Sequence, residues 1–197
     1  TPRNLLGLSS GSTLVNLALS GDPEIAFHCG CYYLLVGDSA SGKTWVALSA
    51  LAEASINPAF KKHRLIYDAP ERGARMDLKA FFGEQLAKSL QPPSWWKTTK
   101  GIKEEKHSTT IEEFYYHLDD AIDRAEPFIY VLDSMDSLTT EEEQEKFSER
   151  KKASRNGKQV GGTYGLGKAK QNSAALRVAV NALEKTGSIL IIISQTR

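Results

Sequence analysis

Eight consecutive residues, Gly37-Asp38-Ser39-Ala40-Ser41-Gly42-Lys43-Thr44, have the types and spacing that hold phosphate. They spell G-x-x-x-x-G-K-[ST], the Walker A pattern, a loop whose backbone N–H groups cradle phosphate oxygens. Gly37 and Gly42 let the chain turn tightly, so successive N–H groups point inward as an anion nest. A helix leaving the loop adds the positive end of its dipole. In that arrangement Lys43 reaches the β- and γ-phosphates of a nucleotide, and the Thr44 hydroxyl holds Mg²⁺. A second group is Asp133-Ser134, at the end of the apolar run 128–132. A carboxylate at such a strand tip supports Mg²⁺ through water beside Thr44.

The elements that must position these groups lie around them. Residues 31–36 read as a buried strand running into the loop, and residues 45–52 as a helix leaving it, continuing to about Ser55 and closed by Asn57-Pro58. Residues 64–68 read as a second strand, 128–133 as a third and 188–194 as a fourth. A short helix is expected over 13–19, ended by Gly21-Asp22-Pro23. Another is expected over roughly 75–90, with Met76, Phe81, Phe82, Leu86 and Leu90 on one side. Thr109 and Thr110 with Glu112 and Glu113 form a capping-box signature. Behind it Ile111, Phe114, Tyr115, Leu118 and Ile122 recur at helical spacing. A last helix is expected over roughly 169–185. Strands alternating with helices predict an α/β fold, a mostly parallel sheet sandwiched by helices.

Two stretches resist that scheme. Residues 91–106 read as a polar loop carrying Trp95-Trp96, which either stacks on a base or a partner, or packs onto the body; packing is the favoured reading. Residues 139–173 run acidic, then basic, then glycine-rich, and are expected to bury no core and to be mobile.

Composition bounds the function classes. The 197 residues fit about one domain, with 41% hydrophobic and 25% charged residues, both ordinary globular values. The net charge of +1 makes any nucleic-acid contact a matter of a local patch. Cys29 and Cys31 are expected to be reduced, with no second pair to complete a zinc site, and the four histidines have no ligand spacing. Apolar runs such as 189–193 are too short to span a bilayer. No signal peptide is visible, so no membrane partner and a cytoplasmic location, in a bacterium or a phage-infected cell, are expected. The chain begins at Thr1 without Met, which fits a processed or missing N-terminus.

Together these pieces resemble the RecA-type recombinase ATPases, a RecA-like branch of the P-loop NTPases. The resemblance rests on the Walker A loop and on Gly11-Ser12-Thr13-Leu14 with Leu17-Ala18-Leu19. It rests also on Val131-Leu132-Asp133-Ser134, on Tyr164-Gly165-Leu166 and the helix to Lys185, and on the segment 188–197, whose strand is glutamine-ended. It covers roughly residues 9–197, is weakest over 73–126, and suits a phage-encoded member. It implies a lead-in segment at 1–30 and a RecA-like ATPase core at 31–197. The family's strand order would leave the first strand an exposed edge, so the core is expected to be incomplete at its C-terminus.

The resemblance also implies roles. ATP and Mg²⁺ are the expected cofactors, with Gly37, Asp38, Ser39, Ala40, Ser41, Gly42, Lys43 and Thr44 binding the nucleotide and Thr44 and Asp133 the metal. The catalytic candidates are Lys43, Gln195 as the γ-phosphate switch, and a carboxylate after the second strand. Here Tyr67-Asp68-Ala69-Pro70-Glu71 departs from the family pattern by about one residue, so Glu71 is favoured and Asp68 stands second. Lys151, Lys152, Arg155 and Lys158 occupy the position of the first DNA-binding loop and suit single-stranded DNA; a solvated charged loop is the other reading. The implied function is a DNA-stimulated ATPase in DNA recombination or repair, assembling as a homo-oligomer, filament or ring. The alternatives are a hexameric helicase or translocating motor, a small-molecule kinase with 139–173 as its lid, and a non-catalytic nucleotide-binding scaffold.

Overall fold

A computed structural model describes residues 6–70, 76–99, 101–155, 176–177 and 179–196, with residues 150–155 described as backbone alone. The chain opens with β1 (Gly7–Leu8), α1 (Thr13–Ser20) and β2 (Phe27–His28), and β1 pairs antiparallel with β2. β3 (Cys31–Gly37), α2 (Lys43–Ile56) and β4 (Arg64–Asp68) follow. Then come α3 (Leu78–Phe82), α4 (Glu84–Ser89), β5 (Leu90–Gln91), β6 (Ser94–Lys97) and β7 (Lys103–Lys106). α5 (Ile111–Asp123), β8 (Phe128–Leu132) and α6 (Glu141–Arg155) lead to helical residues 176–177 and 179–186, here α7, and to β9 (Ile189–Gln195).

Among the described residues the central sheet is parallel throughout, in the order β3-β9-β8-β4-β5. Its inner strands are apolar because both faces are covered. Successive side chains alternate between those faces. Leu65, Tyr67, Ile129, Val131, Ile189, Ile191 and Ile193 pack with Ala47, Leu48, Ala50, Leu51 and Ala54 of α2. Ile66, Phe128, Tyr130, Leu132, Leu190 and Ile192 pack instead with Ile111, Phe114, Leu118 and Ala121 of α5 and Ala179 and Leu183 of α7. Leu8, Ala26 and Phe27 of the first 30 residues join the α2 core. The expected α/β architecture is thus present, with helices on both faces of a parallel sheet. β3 is an edge strand: Tyr33 and Leu35 pack inward, while Tyr32, Leu34 and Val36 are 40%, 53% and 57% exposed. No helix among the described residues is long and apolar enough to cross a membrane.

Three expectations change. The helix read over 75–90 is broken at Gly83, whose φ of +89° and ψ of 162° separate α3 from α4, and Leu90 joins the sheet instead. The polar loop 91–106 contains an antiparallel hairpin, β6 with β7, in which Trp95 pairs with Glu105 and Trp96 with Glu104. Both tryptophans remain half exposed rather than packing fully onto the body. Residues 141–155, expected to be part of a mobile stretch, form α6. A reciprocal cap starts it: the Glu143 N–H donates to Thr140 Oγ1 at 3.1 Å, and the Thr140 N–H donates to Glu143 Oε2 at 3.0 Å. Glu141, Glu142 and Glu143 in the first turn suit the positive end of the helix dipole.

Candidate functional site

β3 delivers Gly37 to the loop, and α2 starts at Lys43. Between them Ala40 and Gly42 take left-handed conformations, φ +61° and +88°. At Gly37 a Cβ would stand 2.9 Å from Ser41 Oγ, so a side chain there would require the Ser41 hydroxyl to move. The Lys43 ammonium donates to the Gly37 and Asp38 carbonyls, both at 2.7 Å, and to Ser41 Oγ at 3.3 Å. It is therefore held along the loop, close to its backbone.

The residues predicted to share a metal do meet. Thr44 Oγ1 donates to Asp133 Oδ2 at 2.7 Å, across 89 positions of sequence. Parallel pairing of β8 against β4 and β9 brings Asp133 to the same sheet end as the loop, and the Asp133 N–H donates to the Asp68 carbonyl at 2.8 Å. The Asp133–Ser134 peptide is cis. Gln195 lies opposite Gly37 in the β3–β9 register, and its backbone N–H donates to Asp136 Oδ2 at 2.7 Å. Next to it the Thr196 N–H donates to the Gly37 carbonyl at 3.2 Å, and the Thr196 hydroxyl to Asp38 Oδ1. Residues from the loop, Tyr67, Asp133, Ser134 and Gln195 line one cleft of about 360 Å³.

Sequence reasoning missed Tyr67. Its hydroxyl donates to Asp133 Oδ2 at 2.9 Å, beside the Thr44 hydroxyl. Burial, then the Asp133 charge and hydrogen bond, push the phenol far above its ordinary pKa, so it stays a donor at any working pH. The available signal was a polar-tipped aromatic one residue before the end of a strand otherwise apolar at its inner positions.

Asp68 belongs to a different environment. One residue after Tyr67, it faces the α5 side of the sheet. It is fully buried, accepting from the Ser108 N–H at 2.9 Å, the Tyr130 hydroxyl at 2.8 Å and the Ser108 hydroxyl. The Ser108 proton is used on Asp68, so His117 Nδ1, 2.9 Å from Ser108 Oγ, must carry its own. His107 Nδ1 takes the Ala69 N–H at 3.1 Å; its 3.4 Å approach to Asp68 becomes an ion pair only when the ring is protonated there. Burial pushes the Asp68 carboxyl up, but the neighbouring His107 ring and the hydrogen bonds from Ser108 and Tyr130 outweigh it and hold the group below its ordinary value. Its oxygens are committed to holding β4, β8 and the start of α5 together.

Glu71 and Lys158 lie outside the described residues. Lys151, Lys152 and Arg155 fall in the last turns of α6. The site fits a hard cation and phosphate on its donors. Among the described residues no group of three or more His, Cys, Asp or Glu could hold a metal unaided. A hydroxyl and one carboxylate beside a phosphate cradle are nevertheless the few oxygen ligands that Mg²⁺ takes from a protein when phosphates and water supply the rest. Ser134 Oγ, buried at the cleft wall, has no hydrogen-bond partner among the described residues.

A second cleft of about 740 Å³ adjoins the first, sharing Tyr67 and Ala69. Leu78, Leu90, Pro92 and Trp95 give it apolar walls, and Glu105 and His107 polar ones. No protein-family model matches the chain, and no curated protein matches it.

Proposed function

We propose that this chain binds ATP with Mg²⁺ at Gly37–Thr44 and hydrolyses it, as a RecA-like P-loop ATPase acting on single-stranded DNA in recombination or repair. The observation that carries the reading is the 2.7 Å bond from Thr44 to Asp133, at the same sheet end as a glycine-bounded loop and Lys43. These are the parts that phosphoryl transfer needs, since its catalysis is mostly positioning and charge stabilisation. The loop N–H groups and Lys43 would hold the β- and γ-phosphates, and Thr44 and Asp133 the Mg²⁺, which screens charge on the phosphate oxygens. With Asp68 committed to its buried network, Glu71 is the carboxylate left to orient water towards the γ-phosphorus. The water oxygen would bond to that phosphorus as its bond to the bridging oxygen breaks, giving ADP and phosphate and releasing a proton to solvent. Gln195, paired beside Gly37, would pass the γ-phosphate state onward. Lys151, Lys152, Arg155 and Lys158 are the proposed DNA contacts, and the working form is a filament or ring of copies.

The test is ATP hydrolysis with and without single-stranded DNA, beside Lys43→Ala. The expected result is DNA-stimulated hydrolysis that falls at least a hundredfold in the variant, the scale on which a lost transition-state contact acts. Hydrolysis indifferent to DNA would remove the DNA coupling. One observation favours a second reading, phosphoryl transfer to a small molecule: the larger cleft shares a wall with the first. DNA-indifferent turnover accelerated by an added hydroxyl or phosphate acceptor would select it.

A further inference from the structure

We infer that Tyr67 is a positioning residue that sets the metal-supporting face of Asp133. The inference rests on the nucleotide-binding reading above and extends it to a residue outside the recognised motifs. Asp133 Oδ2 accepts two hydrogen bonds, from Thr44 at 2.7 Å and from Tyr67 at 2.9 Å. The two donors come from different elements: Thr44 from the start of α2, Tyr67 from the penultimate position of β4. Both bonds fall on one oxygen, Oδ2, and together restrain the carboxylate's rotation.

The two donors differ in what happens when a cation arrives. The Thr44 hydroxyl is itself a proposed metal contact and must turn its lone pair to the ion. The Tyr67 hydroxyl sits in the strand, buried and pinned by its ring among the α2-facing core residues, so it has no such second duty. It therefore has Asp133 as its one polar partner among the described residues, whereas Thr44 would serve both the carboxylate, through its proton, and the ion, through a lone pair. The second bond on Oδ2 further restrains rotation of the carboxylate. Partners of this kind around a metal site are worth roughly tenfold to a hundredfold in metal affinity. The ring also forms the wall common to both clefts, so deleting it would change two sites at once, whereas removing the hydroxyl alone isolates the bond to Asp133.

The experiment is binding of a fluorescent ATP analogue, titrated with Mg²⁺, for the wild type, Tyr67→Phe, Asp133→Asn and the double variant, with Lys43→Ala as control. Phenylalanine keeps the ring and its packing, and Asp133 retains its Thr44 donor, so the variant keeps the fold; the thermal melt checks this. The expected result for Tyr67→Phe is a roughly tenfold rise in the Mg²⁺ needed for half-maximal binding, with metal-free binding unchanged. In the Asp133→Asn background the same change should add nothing further, since its effect passes through that carboxylate. An Mg²⁺ titration of Tyr67→Phe that overlays the wild type overturns the inference and leaves the nucleotide reading standing. So does a double variant in which the two effects simply multiply. Failure of the wild type to bind the analogue in Mg²⁺, or binding equal to that of Lys43→Ala, overturns the nucleotide reading and the inference with it.

Discussion

At the scale of single residues, hydrogen-bond supply decides which carboxylates are free to do chemistry. Asp68 and Asp133 sit at the ends of adjacent strands, yet Asp68 spends its oxygens on Ser108 and Tyr130, while Asp133 faces the cleft. Glu113 shows the same principle outside the site. It accepts from the Thr109 N–H at 2.9 Å and from the Thr109 hydroxyl at 2.6 Å, and pairs with Lys106 at 3.2 Å. Partial burial pushes its carboxyl up, but the Thr109 bonds and Lys106 outweigh it and hold the pKa down to about 2. The folded value lies below that of an unfolded glutamate, so this contribution to stability is complete above about pH 4.5 and is lost as the pH falls towards 2. Glu113→Gln should therefore lower the urea midpoint at neutral pH, and the gap to wild type should narrow as the pH drops through that window. A constant gap from pH 7 to pH 2.5 would show that the cap does not depend on the charge.

At the scale of elements, what the sequence revealed depended on whether an element is defined by burial or by its ends. β4 and β8 were readable almost to the residue because strands covered on both faces must be apolar, as Leu65-Ile66-Tyr67 and Phe128-Ile129-Tyr130-Val131-Leu132 are. The loop and its partner were readable too, since a G-x-x-x-x-G-K-T turn and an acidic strand tip each carry a chemical reason for their residues. α6 was not, because its polar sequence has no apolar stripe to betray a helix. Its evidence lies in the Thr140–Glu143 cap and in the Glu142–Lys146 pair one turn apart. The hairpin was hidden because Trp95 and Trp96 are adjacent and break strand alternation. Tyr67 was hidden because an inner strand residue reads as core. A helix held by its end rather than by a buried face should open locally without global unfolding. Thr140→Ala should cost about 1 kcal/mol of cap, which speeds amide exchange over residues 144–149 roughly fivefold. Exchange in β8 should not change. Acceleration in both would mean that α6 is part of the cooperative core.

At the scale of the whole molecule, the parallel sheet gathers the glycine-bounded loop, Tyr67, Asp133 and Gln195 at one end. The loop follows β3, Gln195 ends β9, Asp133 follows β8 and Tyr67 nears the end of β4, so a ligand there touches four neighbouring strands. Those strands hold both hydrophobic clusters, so binding at their tips is thermodynamically coupled to the cooperative unit and not to a loop alone. A ligand that binds only the folded chain raises its stability by about 2.7 kcal/mol at a hundred times its dissociation constant. For a chain of this size each kcal/mol moves the melting temperature by about 2–4 °C, so saturating MgATP should raise it by roughly 5–10 °C. Removing Mg²⁺ with a chelator should abolish most of the shift, because the Thr44–Asp133 pair then has no ion through which to meet the phosphates. Lys43→Ala should melt near the unliganded wild type and show no shift, since Lys43 is the proposed direct contact to the phosphates. An equal shift in Lys43→Ala would place the nucleotide elsewhere, and the larger cleft behind Tyr67 would be the next site to examine.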